Sequence, residues 1–434
     1  MEIINWSLLS KNEQLCALKR SPLTSDVNLE TQVKTIVEQV VNNGDSALKA
    51  FNIKFDKTIT DNLKLSKERI SSACDNLSSD LKQAILSAID NISVFHQSQI
   101  FNPIDIETQH GVRCELRSEP IRKIGLYIPG GTAPLISTVL MLAIPAAIAK
   151  CEKKVLVSPP PINDAMIFAA NTCGIDEIYQ VGGAQAIAAL AFGTESIPAV
   201  DKIYGPGNRY VTEAKRLVTQ DNRISVSIDM PAGPSEVLVI ADKYANPKFV
   251  AVDLLSQAEH GDDSQAMLVT DSQTLADQVV TEISSQLAAL PRKPIAEKAL
   301  ETSRIIVVGD INAAVQISNL YAPEHLIIQT QNPRETLINV RAAGSVFLGQ
   351  FTPESVGDYA SGTNHVLPTY GYSKSVSSLS VADFCRRFTV QELTEQGLSN
   401  IGPSVMELAA AEKLDAHKNA VAIRLNSISS SGSD

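Results

Sequence analysis

Histidine is scarce in this chain, six in 434 residues, and four of the six stand beside groups that could share chemistry with an imidazole. Gln257-Ala258-Glu259-His260 closes a predicted helix ahead of Gly261. The i, i+3 spacing puts Gln257 and His260 on one face, at a helix end where ligand groups are accessible. Glu324-His325 follows Tyr321-Ala322-Pro323 at the start of a predicted strand. A carboxylate and an imidazole side by side can divide two proton transfers, one activating water and the other deprotonating an alcohol. Asp358 and His365 share a polar, glycine-bearing loop, and Glu412 and His417 lie in a helical tail. Histidine, aspartate and an amide oxygen together can hold a borderline divalent cation such as zinc. The separations are too long for a short metal signature, so on spacing alone four hydrogen-bonded loop histidines are the better reading than a metal site. Most Glu-His dipeptides are inert. His96, in a helical surface pattern, and His110, in a polar loop, read as surface residues.

A second kind of chemistry lies in three glycine-bearing loops: Tyr127-Ile128-Pro129-Gly130-Gly131, Val181-Gly182-Gly183-Ala184-Gln185 and Tyr204-Gly205-Pro206-Gly207-Asn208. Each follows a predicted strand and precedes a helix. In an open α/β sheet that is where ligands bind, and a helix N-terminus favours phosphate. No G-x-G-x-x-G fingerprint occurs. One such loop reads as a tight turn. Three from one sheet, with Tyr127, Gln185 and Asn208 as polar arms, point to a nucleotide site.

The elements that must position these groups follow from periodicity. Residues 27–100 read as helices: Leu29, Val33, Ile36, Val37, Val40 and Val41 recur at helical spacing, Gly44 is a stop, and the pattern returns from Ile70 to Phe95. Strands and helices then alternate. Predicted strands are Lys123–Ile128, Lys154–Ser158, Glu177–Val181, Lys202–Tyr204, Glu236–Ala241, Met267–Thr270, Arg304–Val308, Leu326–Gln329 and Ser345–Leu348. Predicted helices include Ser137–Lys150, Lys248–Glu259 and Ser272–Leu290. This implies parallel sheets in βαβ units covered on both faces. The fold class is α/β, with two doubly wound, Rossmann-like parallel-sheet domains, a helical N-terminal segment and a helical C-terminal tail. The expected boundaries are a helical region at 1–107, partly packed on the second α/β domain, a nucleotide-binding domain at 108–235, a second α/β domain at 236–370, and a helical tail at 371–434. The tail is read as helical from Val381, and its closing SSSGSD as disordered.

Composition sets limits on function. At roughly 150 residues per domain, the length allows about two to four domains. The net charge of −11, with no Lys/Arg run, argues against nucleic acid as a partner. Six cysteines scattered singly exclude a cysteine zinc knuckle and make a disulfide framework a poor fit. Cys114 and Cys151 sit in no loop with an activating base, so a thiohemiacetal mechanism ranks below water attack. The opening MEIINWSLLS lacks the pattern of a secretory signal, and the apolar run Leu135–Ala149 is too short for a membrane span. The expected location is the cytoplasm, with no membrane partner.

The runs GLYIPGGTAPLISTVLMLAIPA, VGGAQAIAALAFGTESIP, YGPGNRYVTEAKR, DMPAGPSEVLVIAD, DLLSQAEHG, YAPEHLI and ESVGDYASGTNHVLPT, with the tail LAAAEKLDAHKNAV, resemble the histidinol dehydrogenase family. The resemblance covers nearly the whole chain. It implies oxidation of L-histidinol through L-histidinal to L-histidine by two successive hydride transfers to NAD, the last step of histidine biosynthesis. By the same resemblance, Gln257, His260, Asp358 and His417 match zinc ligands, with one zinc per subunit, and Glu324 and His325 match the acid/base pair. Ser235, His365 and Glu412 match substrate contacts, to which the ligands and His325 also belong, and Tyr127, Gln185 and Asn208 match NAD contacts. It further implies a homodimer in which the tail of one subunit completes the other's site. Two other readings stand beside it. One is a dehydrogenase on the same scaffold for another amino alcohol or a sulfonated alcohol, which a substrate panel separates. The other is a non-catalytic regulatory or nucleotide-binding protein, which the retained Glu324-His325 pair disfavours.

Overall fold

Runs of β-branched and aliphatic residues such as Glu236–Ala241 and Gln265–Thr270, buried along their whole length, need cover on both faces, and helices on either side supply it. The computed structural model describes residues 1–20, 27–130, 134–230 and 233–431. Gly131, in the first glycine-bearing loop, Pro231-Ala232 and the closing 432–434 lie outside the described residues. The chain divides into two units, Met1–Gln99 with Ile121–Phe384, and Ile100–Pro120 with Cys385–Asp434, each taken by itself.

The larger unit holds two parallel sheets. The first has the order Glu177–Gln180, Lys153–Ser158, Lys123–Tyr127, Lys202–Tyr204, Ser227–Ile228. The chain enters at Lys123–Tyr127, builds to one side, then crosses to Lys202–Tyr204 on the other. The strand order therefore reverses between these two strands, the point at which such sheets open a crevice. Helix Ile136–Ile148 covers this sheet although Pro145 sits inside it. A mid-helix proline costs about 3 kcal/mol. Burying Val139, Leu140, Met141, Leu142 and Ile144, each worth about 1.5–3 kcal/mol, outweighs it. Helix Val27–Phe51 packs its Val33, Val37, Val40 and Leu48 on Ala184–Ala191 of helix Gly183–Phe192. It breaks helical geometry at Gly44, the expected stop, and then resumes.

The second sheet runs Glu2–Asn5, Arg304–Val307, Gln265–Thr270, Glu236–Ala241, His325–Gln329, Ser345–Leu348, all parallel. Its order reverses between Glu236–Ala241 and His325–Gln329. One apolar cluster around Val239, Leu254 and Leu268 covers one face, and another around Ile240, Ile317 and Tyr321 the other.

Several elements differ from the sequence expectation. The chain opens on a strand, Glu2–Asn5, in the N-terminal region read as helical. The expected helix to Leu290 ends at Leu287, and a further helix, Lys293–Thr302, follows. In the smaller unit, Ile104–Gln109, Val112–Pro120 and Cys385–Leu393 form a three-stranded antiparallel sheet. At Val381, the expected start of the helical tail, only the single 3-10 turn Val381–Phe384 forms, and the long tail helices Glu395–Ala411 and Asp415–Ser431 come after the strand Cys385–Leu393. Ser429–Ser431 of the stretch expected to be disordered continue the last helix.

Candidate active site

At the carboxyl ends of the first sheet lies a cleft of about 1110 Å³, lined by Tyr127, Pro129, Gly130, Gln185, Asn208 and residues of helix Val27–Phe51, among others. All three polar arms of the glycine-bearing loops meet there. Tyr127 is buried, and its hydroxyl accepts from the Gly183 amide at 3.2 Å. Burial pushes the phenol up to about 12, so it stays a neutral donor. Asn208 caps the following helix, accepting from the Tyr210 and Val211 amides at 3.0 and 3.2 Å. Gly205 has φ +115°, and a Cβ there would stand 2.0 Å from the Tyr127 carbonyl oxygen. The loop after Lys202–Tyr204 can thus approach the loop after Lys123–Tyr127 only with glycine at this position.

The titratable groups gather elsewhere, at the amino ends of the second sheet. His325 is the first residue of its strand and is 3% exposed. Its Nδ1 donates to the Glu236 carbonyl at 3.1 Å and lies 3.6 Å from Glu324 and 3.7 Å from Glu354. That leaves the proton on Nδ1. Nε2, 3.6 Å from Asp358, is buried without a hydrogen-bond partner among the described residues. Glu324 is also buried, and its carboxylate accepts from the Glu236 amide at 2.8 Å.

Helix Pro247–Ala258 starts on an Asn246 cap with proline in its first turn and ends at this cluster. Gln257 is fully buried. Its amide nitrogen donates to the Glu236 carbonyl at 3.3 Å and to Glu354 at 3.0 Å. The amide oxygen then occupies the position 3.3 Å from His260 Nδ1. His260 sits just past the helix end, open to solvent on one side. Donor atoms of His260, Glu354 and Asp358 lie within 4.8 Å of one another. His365 Nδ1 donates to the Asp358 carbonyl at 2.9 Å, and its Nε2 is 3.3 Å from the Thr138 hydroxyl.

The electrostatics follow from three carboxylates around one imidazole in a dry site. Burial raises Glu324 to about 7, against the pull of His325. Burial likewise raises Glu354. For His325, burial disfavours the cation, but Glu354, Glu324 and Asp358 outweigh it and push the group up to about 10. Burial pushes Asp358 up, but His325, His365 and His260 together hold it below the ordinary carboxylate range. Lost hydration depresses His365, and on its covered side His260, against the opposing pull of Asp358. Carboxylate, imidazole and amide-oxygen donors converging at His260, Asp358, Glu354 and Gln257 are a set that fits a divalent cation, zinc included.

The structure thus brings Gln257, His260, Glu324, His325, Asp358 and His365 together, with Ser235, half-buried, immediately before strand Glu236–Ala241. Glu412 and His417 are exposed and belong to the smaller unit. Two groups escaped the sequence reading. Glu354 lies four residues before Asp358 on helix Glu354–Tyr359, a spacing that puts both on one face. Glu236 acts through its backbone, which no side-chain pattern reports. One expectation is corrected. His96 is fully buried, with Nδ1 2.8 Å from the Ile92 carbonyl and Nε2 3.3 Å from the Asn364 amide. It continues the buried stripe Ile85, Ala88, Ile92, so it is a core residue and not a surface one.

The family model for histidinol dehydrogenase matches residues 19–425. A histidinol dehydrogenase from Shewanella oneidensis is 67% identical over 436 aligned positions, covering 99% of this chain and 100% of the relative. One from Escherichia coli K12 is 55% identical, covering 98% of each. The crystal structure of histidinol dehydrogenase from Elizabethkingia anophelis superposes with a TM-score of 0.95 at 48% identity, covering 99% of both chains.

Proposed function

The chain belongs to the histidinol dehydrogenase family and is an oxidoreductase, and from that premise we propose that it oxidises L-histidinol through L-histidinal to L-histidine, the last step of histidine biosynthesis. The proposed cofactors are NAD and one zinc ion per subunit. The observation that carries this reading is the His325 cluster, in which a buried imidazole base, a carboxylate for water and a set of metal donors converge. Zinc, when bound, supplies a fixed charge and a template for the substrate, and NAD supplies the hydride acceptor. Gln257, His260, Asp358 and His417 would hold the ion, with His417 coming from a second copy of the chain. Tyr127, Gln185 and Asn208 would hold NAD. Ser235, His365 and Glu412 would contact histidinol. Among the described residues no helix is long and apolar enough to cross a membrane, and the proposed setting is a cytoplasmic homodimer.

The chain's own residues divide the proton transfers. His325 takes the hydroxyl proton at Nε2, the nitrogen left free by the Glu236 contact at Nδ1. Positive charge held at Asp358 would weaken that carboxylate's hold on the imidazolium and bring His325 down towards the neutral form a base requires. Glu324 takes a proton from water as the water oxygen adds to the aldehyde, and the aldehyde oxygen takes back the proton held at His325 Nε2, freeing that nitrogen for the second oxidation. The hydrate then gives up its hydroxyl proton to His325 as the second hydride leaves. Keeping both steps in one site avoids release of a reactive aldehyde.

The test separates the half-reactions. Only the aldehyde step consumes water, and Glu324→Gln removes the base while keeping its size. Histidinal oxidation should fall about tenfold or more relative to histidinol oxidation, read as NADH formed from each substrate in single turnovers. A carboxylate raised to about 7 is ionised above that pH, so the aldehyde step should rise with pH through this region and E324Q should lose the rise. Equal losses in both steps would make Glu324 a positioning group instead.

A further inference from the structure

Behind the Glu324-His325 pair lies a charged cluster that takes no part in the chemistry above. Arg20 is largely buried, its side chain 15% exposed. Its guanidinium forks across the Glu236 carboxylate, Nε to one oxygen and Nη2 to the other at 2.9 Å. Nη2 also donates to the carbonyls of Tyr321 at 2.8 Å and Ala322 at 3.3 Å. The guanidinium carbon stands 3.8 Å from the centroid of the Tyr321 ring.

These partners are the two pieces of backbone that aim the pair. Tyr321 ends helix Ile311–Tyr321, and Ala322 follows in the left-handed region at φ +57°. A residue with a Cβ enters that region only when its surroundings hold it there. Arg20 covers the two carbonyls at this helix end, where the dipole is negative and the last acceptors lack helical partners. The turn it holds leads through Pro323 directly into Glu324 and His325. On the other side stands Glu236, whose amide donates to Glu324 and whose carbonyl accepts from His325 Nδ1. The Glu236 side chain is held by Arg20 and by the Tyr370 amide at 3.0 Å. One guanidinium therefore fixes both the peptide that carries the pair and the peptide that orients it.

We propose that Arg20 is a positioning residue for the Glu324-His325 pair, setting the aim of both side chains and the proton-bearing nitrogen of His325 through Glu236. The proposal rests on the reading of that pair as the acid/base groups. Lysine cannot replace arginine here, because an ammonium is a point charge that cannot fork across a carboxylate and stack on Tyr321 at once.

The test uses the full-length, zinc-loaded enzyme. Small misplacement of reacting groups can cost about a hundredfold in rate, so R20M should lower kcat with histidinol about 10- to 100-fold. KM for histidinol and NAD should stay within about threefold, and the zinc content should be unchanged. R20K should recover little. In R20A, millimolar guanidinium should restore part of kcat, and ammonium at the same concentration should not. If Arg20 acts through His325, R20M added to H325N should slow the enzyme by less than about threefold further. Wild-type kcat in R20M, losses that simply add in the double variant, or loss of zinc and substrate binding without guanidinium rescue would each overturn the proposal. Wild-type turnover in H325N alone would sink the reading of the pair, and the proposal with it, an outcome that variant reports independently of Arg20.

Discussion

Replacing His325 by asparagine should slow histidinol turnover by about 10²–10⁴-fold, the range for losing a general base. Asparagine keeps an amide donor that can reach the Glu236 carbonyl, the partner of Nδ1, but places nothing basic where Nε2 stood. Nε2 is the atom that matters, since it is buried, unpartnered among the described residues and beside Asp358. Both oxidations should suffer, because each sends a hydroxyl proton to this nitrogen. KM for histidinol should change little, since the other proposed binding groups, Ser235, Gln257, His260, Asp358, His365 and the tail residues, all remain. The measurement is steady-state kinetics with histidinol and with histidinal. Turnover within a few-fold of the parent would make His325 a structural residue of the strand end.

The second large effect is restoration from nothing. His260→Ala and His417→Ala should each abolish activity, the first within the larger unit and the second on the exposed tail of the smaller. If each site is built from His260 of one chain and His417 of the other, a hybrid dimer has one site with both defects and one with neither. Mixing the two inactive proteins under conditions of subunit exchange should therefore restore activity, approaching about a quarter of the parent's per chain at equal mixing, from the statistics of pairing under that symmetry. If each chain builds its own site, every site carries one defect and the mixture stays dead. Inactivity with exchange verified by mass-tagged chains would reject the shared site.

Much of this was legible in the sequence, and the reasons are physical. Strands such as Glu236–Ala241 and His325–Gln329 are short apolar runs bounded by turns, which burial on both faces demands. The glycine-bearing loops could be read because strand, glycine and helix follow one another in sequence. Gln257 and His260 could be paired by helical spacing. The antiparallel sheet could not, because Ile104–Gln109 is exposed throughout and Cys385–Leu393 nearly so. Arg386, Arg387, Gln391 and Glu392 dilute any alternation there, and the strand exists by pairing with Val112–Pro120 far back in the chain. Strand Glu2–Asn5 likewise depends on a distant partner, Arg304–Val307. In the site, Glu354 carried a signal in its spacing from Asp358, whereas Arg20 and Glu236 carried none. Their roles come from backbone atoms and from a turn that only folding brings next to them.

One site should carry out both oxidations on histidinol, and only with a metal in place. This is tested most directly by counting NADH against histidine formed from a limiting amount of histidinol, before and after removal of metal by a chelator and again after zinc is returned. Two NADH per histidine with no free histidinal, no turnover without metal, and full recovery with zinc are expected. A single NADH per histidinol with aldehyde released, or undiminished turnover in metal-free protein, would contradict this.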